Sequence, residues 1–133
     1  MCNITDVEWT VEYTDEFEQW WDTLSEGEQE AIDAKVYLLE RKGPALRRPH
    51  SGNIHGSKHP NMKELIVQYA GDPYRVLYAF DPRRSAILLI GGKKTGQDDW
   101  YEKYIPLADR IYEKHLAAVE LEEIGRASCR ERV

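Results

Sequence analysis

The chain has 133 residues and a formal net charge of −6, with 41% apolar and 32% charged residues. A chain of this length forms one domain and buries roughly two-thirds of the surface that it exposes when unfolded. No apolar run approaches the roughly 18 residues that a membrane helix requires, and the start of the chain lacks the pattern of a secretory signal. Its two cysteines, Cys2 and Cys129, lie near opposite ends, which excludes a disulfide scaffold and a cysteine-ligated zinc site. We therefore expect a single-domain cytoplasmic protein.

The last eleven residues, Glu123–Val133 (EIGRASCRERV), look like the in-frame translation of a short-read sequencing adaptor. The alternative is a basic helical tail. A translated adaptor is not part of the natural protein and is set aside in predicting the fold. We therefore assign the domain to residues 1–122 and expect no structure beyond it.

The overall acidity conceals a division of charge along the chain. Residues 1–40 hold twelve acidic side chains and one basic one, for a net charge of −11, whereas residues 41–96 carry a net charge of +8. A cationic block in an acidic protein indicates a surface for a polyanion, provided that folding gathers the cations on one face. The alternative is a solvated surface whose acidic partners pack nearby.

The first predicted elements are a strand and two helices. Polar and apolar residues alternate over residues 8–13, as in a half-buried strand. The next apolar residues recur at i, i+3, i+4 and i+7, which predicts one face of a helix capped by Thr14. These residues are Phe17, Trp20, Trp21 and Leu24. A second helix opens at Ser25 in the S-x-x-E pattern of a capping box and ends at Gly43.

Residues 43–61 are rich in Gly, Pro, Ser, Asn and His, which predicts a long loop of the kind that is usually functional. Three strands follow over residues 63–69, 74–80 and 85–90, and the short turns between them indicate an antiparallel meander. A final helix starts at Pro106 or is kinked there. The order β-α-α-β-β-β-α predicts an α+β domain, with a small antiparallel sheet and the helices packed on one of its faces.

The candidate functional residues are basic side chains around this meander. Lys63 begins its first strand and Arg75 lies inside the second. The other cations lie on the long loop or on the glycine-rich exit from the third strand: Arg47, Arg48, Lys58, Lys93 and Lys94. Neighbouring strands are about 4.8 Å apart, so strand order and register decide whether these cations reach one segment of phosphate backbone.

Arg75 is the most informative of these residues, because an arginine on a strand is rarely buried without an anionic partner. It pairs with Glu64 across the hairpin, or it presents its guanidinium to a phosphate group, and the residues alone leave both interpretations open. Metal chemistry is not indicated, because the spacing of the loop histidines His50, His55 and His59 fits no standard zinc site. We predict neither a metal nor a cofactor.

Two motifs become visible once the strands are placed. They are Asn61–Leu65 (N-M-K-E-L) and Tyr74–Pro82 (Y-R-V-L-Y-A-F-D-P), and neither alone would be specific. With the order of elements, they make the chain resemble the RelE/ParE superfamily of bacterial toxins over about residues 7–117. Within that superfamily the chain is most similar to the HigB-like, phage-related branch.

This resemblance implies that the protein is the toxin of a type II toxin–antitoxin system and is held inactive by a helix-turn-helix antitoxin. It also implies that the toxin cleaves mRNA on the ribosome without a metal. In such a reaction the 2′-hydroxyl of RNA attacks the adjacent phosphate and leaves a cyclic phosphate. Arg75 and Lys94 match basic positions of the superfamily and would stabilise the charge on phosphorus, while Lys63 and Glu64 complete the implied catalytic set. The remaining candidates would bind RNA or, for His59, serve as an alternative base: Arg47, Arg48, Lys58, His59, Lys93 and Tyr101.

Ile66 departs from the family pattern, because many relatives carry an arginine directly after K-E-L. A strand position that would carry a phosphate contact is therefore apolar in this chain. This supports the alternative of a non-catalytic toxin that only binds its antitoxin. A further alternative is a ParE-like protein that binds and inhibits DNA gyrase, a function that needs no acid–base residues.

Overall fold

The computed structural model describes residues 8–96 and 99–131 of the chain. In chain order the elements are β1 (Val11–Tyr13), α1 (Asp15–Trp21), α2 (Glu26–Lys42), β2 (Ser51–Asn53), β3 (Lys63–Tyr69), β4 (Asp72–Phe80), β5 (Ala86–Lys93) and α3 (Trp100–Glu131). The strands form one five-stranded sheet in the order β1-β5-β4-β3-β2. The predicted α+β class and the antiparallel meander of β3, β4 and β5 are confirmed.

The starts of α1 and α2 follow from local hydrogen bonds that the sequence predicts. The Phe17 backbone N–H donates to Thr14 Oγ1, which caps α1. At the start of α2, the Glu28 N–H donates to Ser25 Oγ, and the Ser25 N–H donates to the Glu28 carboxylate. These bonds satisfy N–H groups that a helix leaves without partners in its first turn.

Two short strands complete the sheet at its edges. β1 runs parallel to β5, and β2 runs antiparallel to β3, with Gly52 opposite Glu64. The prediction of a loop over residues 43–61 misses β2, because the sequence Ser-Gly-Asn has no hydrophobic alternation. Pairing with β3 makes this segment a strand, and that pairing is a property of the fold rather than of the three residues.

Helices cover both faces of the sheet, so the prediction that they pack on one face is wrong. In β4, Val76 and Tyr78 belong to the core beneath α1 and α2, whereas Leu77 and Ala79 belong to the core beneath α3. Alternate side chains of a strand point to opposite faces, and residues 76–80 of β4 are all apolar or aromatic, so this segment needs cover on both faces. We call the two sides the α1/α2 face and the α3 face.

The last helix runs past its predicted end. α3 begins at Trp100, so of the two predicted alternatives for Pro106 the structure shows a proline inside the helix rather than at its start. The backbone is also helical over residues 123–131, where we predicted no structure. A helix that has already formed extends readily through residues of good helix propensity, such as Glu, Arg and Ala. The origin of residues 123–133 stays a prediction.

Among the described residues, no helix combines the length and the apolar character that crossing a bilayer demands.

Candidate functional site

Arg75 and Glu64 meet on the α3 face. In the register of β3 and β4, Arg75 lies opposite Ile66, so Glu64 is its diagonal neighbour. Arg75 Nε lies 3.4 Å from Glu64 Oε1, and the two side chains are only 16% and 7% exposed. Arg75 Nη1 donates to the Tyr74 carbonyl, but Nε has no hydrogen-bond partner among the described residues. The ion pair therefore forms without using the full hydrogen-bonding capacity of the guanidinium.

The first turn of α3 places Tyr101 against the same carboxylate. The Tyr101 hydroxyl donates to Glu64 Oε1 at 2.7 Å. Burial raises the pKa of Tyr101, and the hydrogen bond to Glu64 raises it further, so the hydroxyl stays a donor at neutral pH. Lys94, which follows β5, lies with its Nζ 4.7 Å from the centre of the Tyr101 ring. Arg75 and Lys94 thus lie on one side of the sheet, which the RNA hypothesis requires.

Arg48 approaches Glu64 from the loop before β2. A Cβ built on Gly52 would lie 3.3 Å from Arg48 Nη2 and 3.5 Å from Glu64 Oε2. The missing side chain of Gly52 therefore leaves a space that the Arg48 guanidinium and the Glu64 carboxylate both border. Gly52 was not among the predicted site residues, and its one signal in the sequence is a glycine inside a loop predicted to be functional.

These residues form what we call the arginine–glutamate cluster, which is Arg48, Glu64, Arg75, Lys94 and Tyr101. Arg75 pairs directly with the Glu64 carboxylate, while Arg48 lies near it across Gly52 and Lys94 lies against Tyr101, so the cluster carries net positive charge and favours an anion. Guanidinium groups present paired N–H donors that match the oxygens of a phosphate group. A carboxylate beside them supplies a proton acceptor. The arrangement can hold a phosphodiester and accept a proton next to it.

The structure does not bring Lys63 and Lys93 into this cluster, although both were candidate site residues. Lys63 directly precedes Glu64 on β3, and Lys93 directly precedes Lys94 at the end of β5. Consecutive side chains of a strand point to opposite faces of the sheet. Lys63 Nζ donates to the Pro44 carbonyl at 3.4 Å on the α1/α2 face. Lys93 Nζ lies 3.1 Å from the Asp72 carboxylate. A catalytic role for Lys63 beside Arg75 therefore has no support in this geometry.

Lys63 instead lines a basic pocket at the β2 edge of the sheet, which is distinct from the arginine–glutamate cluster. This pocket has a volume of about 600 Å³, and Arg47, Arg48 and Lys63 are its basic lining residues. Because Arg48 belongs to both features, basic surface continues from the arginine–glutamate cluster around the β2 edge. The RNA-binding candidates of the long loop divide between this pocket and α3.

Lys58 and His59 lie along α3, away from the cluster. The Lys58 backbone N–H donates to Asp109 Oδ2 at 3.1 Å, which ties the loop to the helix. His59 Nε2 lies 3.0 Å from the Glu113 carboxylate. Twelve residues separate Glu113 from Tyr101 on α3, a rise of roughly 18 Å. His59 is therefore not placed to act as a base beside Arg75.

Trp100 and Tyr101 are neighbours with different roles. Trp100 is fully buried and packs on Gly92, where an added Cβ would lie 2.8 Å from its Nε1. Its ring also stacks on Tyr104 with 4.4 Å between centroids. Trp100 is therefore a core residue, and of these two aromatic neighbours only Tyr101 belongs to the site. Over the described residues, no group of three or more His, Cys, Asp or Glu side chains is arranged to hold a metal ion.

The fold resembles that of solved bacterial toxin structures. A chain of the intact Escherichia coli RelBE toxin–antitoxin complex superimposes with a TM-score of 0.50 at 13% identity, over 63% of this chain and 94% of that one. A double mutant of the E. coli toxin RelE in the free state gives a TM-score of 0.54 at 13% identity, over 73% and 95%. The protein therefore has a RelE-like fold.

Sequence comparison identifies the family within that fold class. Residues 19–113 match the model of the phage-derived protein Gp49-like family. The Mycobacterium tuberculosis proteins HigB2 and HigB3 are 39% identical over 116 residues and 42% identical over 102, or 86% and 76% of this chain. The matches span 57% of the length of HigB2 and 88% of HigB3, and both proteins are named as toxins. The chain belongs to the Gp49-like family, which confirms its resemblance to the HigB-like branch.

Proposed function

We propose that this protein is the toxin of a type II toxin–antitoxin system and that it cleaves mRNA, on the ribosome, until a helix-turn-helix antitoxin binds it. The toxin names of HigB2 and HigB3 and the RelE-like fold support the first part. The second part depends mainly on one observation, the convergence of Arg75 and Lys94 beside Glu64 on the α3 face.

The proposed reaction needs no group outside the chain and the RNA. The 2′-oxygen of a ribose attacks the adjacent phosphorus, the bond from phosphorus to the 5′-oxygen breaks, and a 2′,3′-cyclic phosphate and a 5′-hydroxyl result. Glu64 supplies the one carboxylate of the arginine–glutamate cluster, so we assign it the role of the general base that accepts the 2′-hydroxyl proton. Arg75 and Arg48 flank Glu64 and stabilise the negative charge on the phosphoryl oxygens.

The other two members of the cluster have supporting roles in this proposal. Lys94 donates the proton that the departing 5′-oxygen takes up. Tyr101 orients Glu64 through its hydroxyl and offers its ring face to an RNA base, as single-stranded RNA recognition favours.

The test is RNA cleavage with product analysis. Purified protein is mixed with 5′-labelled single-stranded RNA in the presence of EDTA and, separately, with ribosomes carrying mRNA in a magnesium buffer that keeps them intact. We expect fragments that end in a 2′,3′-cyclic phosphate, identified by mass spectrometry. Intact RNA in both reactions, with a folded protein, would remove the nuclease proposal.

A non-catalytic toxin is the second candidate, and the position of Ile66 favours it. Ile66 lies directly opposite Arg75, so the arginine that many relatives carry there would add a cation to the cluster. Inducible expression in bacteria separates the candidates. The nuclease arrests growth and cuts mRNA, a gyrase inhibitor raises the SOS response with intact mRNA, and a non-catalytic toxin permits growth.

A further inference from the structure

A groove with an apolar floor and an acidic rim lies where α1 and α2 approach β1. Its volume is about 410 Å³. The floor consists of apolar side chains from both helices and two strands, which are Val11, Phe17, Trp21, Val36 and Leu88. The rim consists of four carboxylates, which are Glu18, Asp22, Asp33 and Glu40. A concave apolar surface of this size takes several buried side chains of a ligand.

The rim carboxylates follow the two helices that border the groove. Asp22 caps the C-terminus of α1 four residues after Glu18, and Asp33 and Glu40 are seven apart on α2, so each pair shares one side of its helix. None of the ion pairs between described residues includes any of the four. Two rows of carboxylates therefore border the groove along its two helices without neutralising cations from the described part of the chain.

This acidic surface is separated from the cluster that favours an anion. The floor belongs to the α1/α2 face, whereas Arg75 and Glu64 lie on the α3 face. Residues 1–40 carry a net charge of −11, and such a concentration of like charge repels itself and repels RNA. A cationic partner would relieve this repulsion while leaving the arginine–glutamate cluster accessible.

We propose that the groove binds a basic amphipathic helix of a partner protein. Apolar side chains on one side of that helix would enter the floor, where the partly exposed Trp21 supplies aromatic surface. Lysine or arginine side chains at its borders would meet the four carboxylates, which sets orientation and speeds association. Tyr13 lines the groove and is 61% exposed, so it offers a further aromatic contact. This proposal does not depend on RNA cleavage.

The first measurement uses a fluorescein-labelled synthetic peptide of roughly five helical turns, with leucine at i, i+3, i+4 and i+7 and lysine at the flanking positions. One control peptide has glutamate in place of each lysine, and another has serine in place of each leucine. We expect saturable binding of the first peptide by fluorescence anisotropy at about 150 mM salt, where exposed charges are largely screened beyond roughly 8 Å. Equal binding of the serine peptide would overturn the proposal, because the floor would then be unused.

The second measurement locates the peptide on the protein. The Asp33→Lys/Glu40→Lys variant changes two rim carboxylates, and Glu120→Lys/Glu122→Lys makes the same change of charge at two exposed positions on α3. We expect the first variant to weaken peptide binding about tenfold, and the second less than about twofold. Equal weakening by both would indicate non-specific attraction to an acidic protein and would overturn the groove assignment.

A competition experiment tests the separation of the two surfaces. Single-stranded RNA of random sequence and the peptide are added together, and each is followed by its own label. We expect no competition between them, and RNA binding that changes no more in the Asp33→Lys/Glu40→Lys variant than in the Glu120→Lys/Glu122→Lys variant of equal charge. Displacement of the peptide by RNA would place the peptide on the cationic surface and would contradict the proposal. Failure of RNA cleavage would leave this result unaffected.

Discussion

Ile66 and Arg75 are direct partners across β3 and β4, and both side chains lie on the α3 face. An apolar side chain therefore stands beside the guanidinium that we assign to the phosphate. The carboxylate that pairs with Arg75 comes from Glu64, one step further along the same face of β3. The local balance of charge in the arginine–glutamate cluster thus depends on two alternate positions of one strand, one acidic and one apolar.

Replacing Arg75 by alanine should reduce RNA cleavage by roughly 100- to 1,000-fold, because it removes a donor positioned for the charge that develops on phosphorus. Single-turnover rates on a defined RNA measure this effect. Arg75→Lys should recover only part of the rate, since an ammonium lacks the planar pair of donors.

Arg110→Ala is the matched control for this substitution, because Arg110 is exposed on α3 and makes none of the ion pairs between described residues. It should cleave at the wild-type rate. Circular dichroism has to show that the Arg75 variants remain folded, because Glu64 is buried and loses its ionic partner. An unchanged rate in folded Arg75→Ala would move the phosphate-binding role to another residue.

Replacing Tyr101 by phenylalanine separates the hydroxyl of this residue from its ring. The change removes the donor to Glu64 and keeps the aromatic face beside Lys94. We expect a roughly tenfold slower chemical step, from the loss of a hydrogen bond to a charged group, with RNA affinity unchanged. Single-turnover kinetics with varied protein concentration separates the two quantities. A loss of affinity with a normal rate would show that Tyr101 binds RNA without orienting Glu64.

Introducing arginine at Ile66 tests the charge of the cluster in the opposite direction. Ile66→Arg places a further cation opposite Arg75, so RNA should bind more tightly and with a steeper dependence on salt. We expect a log–log salt slope of about −3 to −4 for the wild type, from four to six phosphate contacts, and about 0.7 steeper for the variant.

Gln68→Arg is the control for Ile66→Arg. Gln68 lies two positions further along β3, where it is exposed and opposite Pro73. This variant adds the same charge on the same face at a greater distance from Glu64. Equal effects of the two arginines would indicate a general electrostatic attraction rather than a binding site centred on Arg75.

The parts of this structure that the sequence predicts depend on neighbours in the chain. The Thr14 cap, the Ser25 capping box and the antiparallel meander are all set by residues a few positions apart. The strand alternation that places Lys63 and Glu64 on opposite faces is local as well. Over residues 63–69 this alternation alone separates Lys63 from the face that carries Glu64, so it already argues against Lys63 as a catalytic residue.

The approach of Arg48 to Glu64 is different in kind. It requires β2 to pair with β3 and Gly52 to lie opposite Glu64, and neither follows from the residues of the loop. The cover of both faces of the sheet is also non-local, because α3 takes the face on which Leu77 lies, opposite α1 and α2. Pairing and packing between distant segments therefore account for most of what the sequence did not predict.

Asp81 gives a prediction for acid stability. Its carboxylate is buried and accepts hydrogen bonds from Arg83 and from the Ser85 backbone N–H, and it lies 3.0 Å from His115 Nε2. Burial alone would raise the pKa of Asp81, but the bonds from His115 and Arg83 outweigh it and lower the pKa below its ordinary value of 3.8. A pKa that is lower in the folded state stabilises the protein above pH 3.8, and this contribution is lost as the pH falls through the folded-state value.

Asp81→Asn should therefore destabilise the protein by about 3 kcal/mol at pH 7, because it leaves Arg83 and His115 without their shared anion. Urea unfolding at a series of pH values measures the free energy of unfolding. The difference from the wild type should shrink as the pH falls below about 4, because the wild type then loses the same charge. Asp33→Asn, which neutralises an exposed carboxylate on α2, should stay within about 0.5 kcal/mol of the wild type throughout. A constant difference for Asp81→Asn down to about pH 2 would show that packing, rather than the charge of Asp81, stabilises the β4–β5 turn against α3.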